Sequence, residues 1–299
     1  MTAKSATPID DSQSESTDEE GLESKIVAHL LKTGYPLELD VASILEERGW
    51  IVTSNTPFFD VDEEKHRECD ICAVRVRRVT LQDETAEPSF ANLGHGLVSV
   101  LAIECKKSEK PWVFFTRTAG NASHNQIRYV SKISNLVTFV DTPQTVLSPG
   151  VMARHLWYFP LATRSRNFTE AFKSDSQTSQ IWTALNQVVK ALRHFQAQYD
   201  QPYMRHLTTF LVPVIVLDGV MFEATLRKGD ISLQRSNHVA VEFDIVSRPD
   251  PLVAQQVLVD VITRDYLLDY IEKVDRGFDG IRQELEDAFK NGSAKIEDV

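Results

Sequence analysis

From residue 97 to residue 107 the chain reads LVSVLAIECKK. Leu97 to Ile103 run without polar alternation, and Glu104, Cys105, Lys106 and Lys107 follow at once. An unbroken apolar run of this kind predicts a strand covered on both faces, the centre of a sheet. Side chains alternate along a strand, so Glu104 and Lys106 share one face and Cys105 takes the other. A carboxylate and an ammonium at the end of a buried strand are unfavourable there unless they pair or are used.

Upstream of that strand, Pro36 suits the first turn of a helix that reaches Arg48 and ends at Gly49. Its apolar stripe is Leu37, Val41, Ile44 and Leu45, and Glu38 lies on the rim of it. A shorter helix, Leu22 to Lys32, comes before, closed by Gly34. Trp50 to Ser54 predicts a first strand, the stretch NTPFFDVDEEKHR (with Asp60 and Asp62) a polar loop, and Glu68 to Arg77 a second strand. Asp70, Cys72, Val74 and Val76 share one face of that strand. Thr80 to Gly96 reads as a long loop.

Downstream, the aromatic run Trp112 to Phe115 is expected in the core, followed by a helix from Ser123 to Leu136 and a strand from Val151 to Leu161. Gln177 to Tyr199 predicts a helix with one apolar face, because Ile181, Leu185, Val188, Leu192, Phe195 and Tyr199 recur at spacings of 4, 3, 4, 3 and 4. Leu207 to Leu217 predicts a buried strand, Asp218-Gly219 a turn, and Val220 to Ala224 its hairpin partner. His238 to Val246 is a further strand, and Val257 to Ile271 starts strand-like and becomes helical. Val274, Phe278, Ile281, Leu285 and Phe289 mark an amphipathic C-terminal helix, a candidate surface for a second copy or a partner protein. Helices and strands mixed in this way predict an α/β (or α+β) fold with C-terminal strands and a helix added to its core. The expected organisation is a disordered acidic tail over residues 1–21, a domain over 22–272, and a helix and tail over 273–299.

The 299 residues, 42% of them hydrophobic, suffice for a large core. The longest apolar run, roughly Phe210 to Leu217, is interrupted by Pro213 and falls well short of a membrane span. With no apolar signal region and only Cys69, Cys72 and Cys105, a reducing cytoplasm is the expected location. The net charge of -11 argues against nucleic acid until its distribution is considered: residues 1–24 hold seven acids against Lys4. Between Glu104 and Lys132, by contrast, Lys106, Lys107, Lys110, Arg117, Arg128 and Lys132 outnumber Glu104 and Glu109. A local basic patch in an acidic protein is able to bind phosphate.

Taken together, LELDVASILEERGW, RECDICAV and VLAIECKK place Glu38 on a helix, Asp70 on a strand and Glu104-x-Lys106 on a buried strand, in that order. This resembles the PD-(D/E)XK nuclease superfamily, also called restriction-endonuclease-like, over roughly residues 35–135. Cys69 rather than Pro precedes Asp70, a departure the superfamily often tolerates. The resemblance implies a mixed central sheet flanked by helices and metal-dependent hydrolysis of DNA by a restriction-, repair- or defence-type nuclease in a prokaryotic cytoplasm. Phosphodiester hydrolysis needs an activated water and neutralised charge, which Mg²⁺ or Mn²⁺ provides from a few oxygen ligands. Asp70, Glu104 and the backbone carbonyl of Cys105 are then the expected metal ligands. Glu38 would hold a second ion or a metal-bound water, and Lys106 the attacking water or the phosphate. Lys107, Lys110, Arg117, Arg128 and Lys132 are the expected DNA contacts, with Gln126 an auxiliary residue by resemblance. The alternative is a non-catalytic module of the same fold that binds a protein or nucleic-acid partner.

Other residues invite other chemistry. His66, Cys69 and Cys72 have zinc-like spacing, but an odd separation in a strand sends the two thiols to opposite faces. Cys105 is expected in the core beside Ile103, unsuited to act as a nucleophile. His194 and His206 are expected on surfaces, His124 near phosphate, and Asp60 and Asp62 as loop acids rather than ligands.

Overall fold

The central strand is β3 (Gly96–Lys107), buried without interruption from Gly96 to Cys105. In the computed structural model the described residues are 12–79, 96–118, 131–132, 137–139, 142–145, 155, 163–174, 179–199, 207–246, 254–291 and 294–296. On one side of β3 lies the antiparallel pair β1 (Ile51–Asp60) and β2 (Lys65–Arg78). On the other side lies β9 (Leu207–Asp218), parallel to β3 from Gly96↔Leu207 to Lys107↔Asp218. The sheet continues through β13 (Ala254–Thr263), β12 (His238–Val246), β8 (Thr163–Glu170), β4 (Trp112–Thr118), β10 (Met221–Arg227) and β11 (Asp230–Arg235). The short β5 (Ser131–Lys132) pairs with β9 at Phe210 and Thr209, completing an eleven-stranded sheet. A second sheet joins β6 (Val137–Phe139), β7 (Thr142–Thr145) and β14 (Ala294–Ile296).

Four α-helices accompany the strands among the described residues: α1 (Ser12–Leu30), α2 (Tyr35–Glu47), α3 (Gln180–Tyr199) and α4 (Leu267–Lys290). The architecture is therefore mixed α/β. The helices α2 and α4 share one apolar cluster with β2, β3 and β9, through Leu37, Val41, Leu45, Ile103, Val274 and Phe278 among others. The helix α3 shares the other with β3, β9, β12 and β13, through Ile181, Leu185, Val188, Leu192 and Phe195. No helix among the described residues is long and apolar enough to cross a membrane.

Several expectations need correction. The first strand runs to Asp60 and the second begins at Lys65, so most of the expected polar loop is β-structure. As an edge strand β1 faces solvent along much of its length and tolerates Pro57, which disguises it in sequence. The helix α1 starts at Ser12, inside the stretch expected to be disordered; residues 1–11 lie outside the described residues. Ser131 and Lys132 are strand rather than helix, and the rest of 123–130, with His124, Gln126 and Arg128, lies outside the described residues. So do His206 and the expected strand 151–161, apart from His155.

The Asp218-Gly219 turn makes no hairpin. The pairing is β10 with β4 in parallel, from Met221↔Trp112 to Ala224↔Phe115. The parallel strands β3 and β9 end side by side, and their exits are laced together by Ser108 N–H to Asp218 O (3.0 Å) and Trp112 N–H to Val220 O (2.9 Å). A Cβ on Gly219 would stand 2.7 Å from the Ser108 carbonyl oxygen, so this close approach requires glycine. A dipeptide signal cannot reveal that the neighbour of a strand comes from a hundred residues away.

The apolar face of α4 is likewise not left for a partner. Val274, Phe278, Ile281 and Leu285 are fully buried against the sheet. Each such side chain contributes about 1.5–3 kcal/mol relative to exposure. The helix crosses residues 272–273 without a break and belongs to the core.

Candidate active site at the end of the central strand

The β2–β3 ladder ends at Ile71↔Ile103. One residue further along β2, the side chain of Asp70 takes over the role of a strand: its Oδ2 accepts the Cys105 N–H at 2.8 Å. That bond fixes the carboxylate beside Glu104. Glu104 is 1% exposed; its Oε1 accepts a hydrogen bond from Lys106 Nζ, and its buried Oε2 has no hydrogen-bond partner. Lys106 Nζ also donates to the Cys105 carbonyl at 3.2 Å. Glu38 approaches from the first turn of α2, which starts at Tyr35 with Pro36 in place as expected and ends before Gly49 at φ 80°. The four expected residues thus converge, although they lie up to 68 positions apart in sequence.

The charges do not balance. Burial pushes the Glu104 carboxyl up to about 8, against the pull of Lys106 and with Asp70 and Glu38 adding to the rise. Burial also raises Asp70, despite the Cys105 N–H and Lys106. Burial and the neighbouring Asp70 charge raise Glu38. Burial works to lower the Lys106 ammonium, but Glu104 and Asp70 outweigh it, and the group stays protonated. Among the described residues Glu38, Asp70 and Glu104 therefore crowd around the Lys106 ammonium, with Glu68 adding to the repulsion at Glu38 and Asp70.

A divalent ion fits this environment on two observations: the partnerless Glu104 Oε2, and an ammonium already resting on two of the expected ligand atoms, Glu104 Oε1 and the Cys105 carbonyl. A donor set made only of oxygens suits Mg²⁺ or Mn²⁺ rather than zinc. Among the described residues no three His, Cys, Asp or Glu side chains form a ready-made metal cage.

The thiols are excluded more firmly. Cys105 packs beside Ile103 as expected, and burial holds its thiol well above the usual range. Cys69 and Cys72 enter the same apolar cluster, contrary to the expectation of opposite faces, because β2 leaves the ladder at Ile71. Burial raises both thiols, Cys72 to about 11, while His66 is exposed and packs on Phe59. His194 is half-buried against Phe58 on α3, less exposed than its sequence context suggests. Asp60 is a buried strand-end acid, ion-paired to Arg67 (2.6 Å) and Lys190 (2.7 Å), and Asp62 pairs with Arg193 (2.8 Å). They pin the β1–β2 turn to α3.

Of the expected DNA contacts, Lys107 and Lys110 line a cleft of about 530 Å³ at the end of β3. Lys107 Nζ donates to the Leu31 carbonyl at 2.8 Å. Arg117 is exposed on β4, opposite Arg164 on β8. The backbone of Lys132 belongs to β5. Sequence reading missed Lys32 and Gln180, which complete the cleft from α1's end and α3's start. No local signal marks either residue, since each is brought there by packing of distant elements.

No family model, curated protein or solved structure matches this chain.

The carboxylate cluster predicts how stability varies with pH when metal is removed. Glu104 titrates near 8 when folded against an ordinary value of 4.5. Between those two values the folded state holds the extra proton, so stability falls as pH rises through the window, by up to ~5 kcal/mol. Asp70 and Glu38 shift in the same direction. Urea unfolding in EDTA should show this decline from about pH 5 to 8, and millimolar Mn²⁺ should recover most of it. Asp70→Asn keeps an acceptor oxygen for the Cys105 N–H, and should flatten the slope and weaken the response to Mn²⁺. A wild-type profile that is flat in EDTA and indifferent to Mn²⁺ rules out a strained carboxylate cluster.

Proposed function

We propose that this chain is a metal-dependent nuclease that hydrolyses DNA phosphodiester bonds, with a restriction-endonuclease-like core. The observation that carries the reading is the buried, half-satisfied Glu104 flanked by Asp70, Glu38 and Lys106 at the open end of the central strand. Four costly polar groups gathered in one place call for a counter-charge and a use. The order α2, β1, β2, β3, with Asp70 on β2 and Glu104-x-Lys106 on β3, supports the same assignment.

Asp70, Glu104 and the Cys105 carbonyl would hold Mg²⁺ or Mn²⁺, with Glu38 as a further oxygen donor. Such an ion, when bound, supplies an activated water and offsets charge on the scissile phosphate. The residues of the chain do the rest. Asp70, locked to the Cys105 N–H, sets the spacing of β2 and β3 at the site. Lys106 stays an ammonium through neutral pH, so it donates hydrogen bonds and serves as an electrostatic partner of the developing phosphorane, not as a base.

The rival reading, a non-catalytic module, draws on Lys106 already neutralising Glu104 Oε1. Incubating purified protein with plasmid and linear DNA in Mg²⁺, Mn²⁺ or EDTA separates the two. Cleavage is expected with either metal and absent in EDTA; no cleavage with any metal, by a folded protein, favours the module.

A further inference from the structure

A second feature adjoins the site. The cleft of about 530 Å³ begins one residue beyond Lys106 and is lined by Lys32, Lys107 and Lys110, with Gln180 at the start of α3. Two acids also line it, Glu109 and Glu170. Glu170 is engaged elsewhere: it accepts hydrogen bonds from the Gln180 N–H (2.7 Å) and Ser179 Oγ (3.0 Å), and its carboxylate lies 3.8 Å from Lys173. By formal charge the lining holds three lysines against two acids, with Lys107 Nζ hydrogen-bonded to the Leu31 carbonyl and 3.9 Å from Asp218.

On the other flank of the first turn of α3 is a cleft of about 410 Å³ lined by Phe168, Trp182 and Phe243. Trp182 is 53% exposed, although its ring is braced edge-on by Phe243 (centroids 5.2 Å apart) and at a tilt by Phe168 (6.4 Å). Of the charges on its rim, Glu242 is paired to Arg166 at 2.7 Å and also to Arg164 at 3.2 Å, while Asp244 lies 3.8 Å from Arg166. The two clefts draw on the same two elements: Phe168 and Glu170 share a face of β8, about 7 Å apart, and Gln180 and Trp182 both fall in the first turn of α3.

We propose that the lysine cleft and the Trp182 shelf form one track for a single, unpaired nucleic-acid strand running from Glu104 and Lys106. Phosphates lie over Lys32, Lys107 and Lys110, and a base stacks on Trp182. This rests on the reading of the protein as acting on nucleic acid, and it adds the form of the substrate. A basic groove joined to an exposed, braced aromatic ring is how unpaired strands are held. In a duplex the base faces are stacked on one another, so no face is offered to Trp182. A large indole left half in water beside a polar cleft is a place where a flat partner gains by stacking.

Binding in EDTA tests the track apart from chemistry. Fluorescence anisotropy would compare a labelled oligothymidylate of about twelve nucleotides with a duplex of the same length. The single strand should bind at least ~10-fold tighter, and Trp182→Ala should remove roughly tenfold in affinity while Trp182→Phe keeps most of it. Lys32→Ala and Lys110→Ala should each lower the slope of log affinity against log salt by roughly 0.7. Arg235→Ala, exposed on β11, should change neither quantity. Equal affinity for duplex and single strand, or a folded Trp182→Ala protein that binds like wild type, overturns the track. If duplex is also cleaved with Mn²⁺ in that case, the nuclease reading survives it. Trp182-dependent strand binding without cleavage in any metal leaves the track standing and removes the nuclease reading; no binding and no cleavage removes both.

Discussion

Glu104→Gln should reduce metal-dependent DNA cleavage by ~10³-fold or more, a loss of about 4 kcal/mol of transition-state stabilisation. The substitution preserves volume and hydrogen bonding to Lys106 but removes the charge that burial and two neighbouring carboxylates make so unfavourable. Stability in EDTA near pH 8 should therefore hold or rise, because the neutral amide needs no proton to be accommodated. Loss of activity with retained or higher stability is the diagnostic pair. Lys106→Ala should also silence cleavage yet lower stability in EDTA, since it strips from the carboxylates the one cation that faces them among the described residues. Rates on supercoiled plasmid with Mn²⁺, set beside urea unfolding of the same preparations, give both readouts. A Glu104→Gln enzyme within tenfold of wild type would place the chemistry elsewhere.

The second large effect lies away from the site. Arg77 is 6% exposed on β2 and forks onto α4: its Nη2 meets Asp275 at 2.6 Å, its Nε meets Asp279 at 2.9 Å, and its Nη1 donates to Ser99 Oγ at 2.8 Å. The guanidinium also stands over the Phe278 ring, 5.4 Å from its centroid. Arg77→Ala should destabilise the protein by ~3 kcal/mol, because it leaves the part-buried Asp275 with Arg75 alone and empties a buried site between β2 and α4. Burial already raises the Asp275 carboxyl against the pull of Arg75 and Arg77. Arg77→Lys should lose an intermediate amount, as one ammonium cannot reproduce the fork. Removing the partly exposed Arg282, paired with Glu286 at 3.0 Å one turn along α4, should lose less than about 1 kcal/mol. Guanidinium unfolding of the three variants checks the ranking. Equal losses for Arg77→Ala and Arg282→Ala would show that the β2–α4 clamp adds nothing.

Glu38, Asp70, Glu104 and Lys106 were legible as a set because each sits on an element with a strong local signature. Pro36 and Gly49 bracket α2, and the apolar run of β3 has no polar alternation to confuse its reading. The 3.6-residue periodicity of α3 and α4 was equally plain, since a helix in contact with a sheet repeats its buried face within its own sequence. Those features are local, and the sequence determined them by itself: the type of element, its buried face, and the chemical identity of the groups delivered to its end.

Only the tertiary structure decided what lies beside what. The exits of β3 and β9 run together, so β10 pairs with β4 and not with its sequence neighbour β9, against the Asp-Gly signal. The burial of α4, the Arg77 fork, the ion pairs of Lys190 and Arg193, and the meeting of Lys32 with Lys107 and Lys110 all join residues far apart in the chain. The same holds for the Asp70 carboxylate, whose bond to the Cys105 N–H exists only because the β2–β3 ladder parts one residue earlier. Periodicity reports whether a face is buried, but not which surface buries it. Pairing between distant segments depends on competition among all apolar faces for one core, and that competition leaves no mark on any single stretch of sequence.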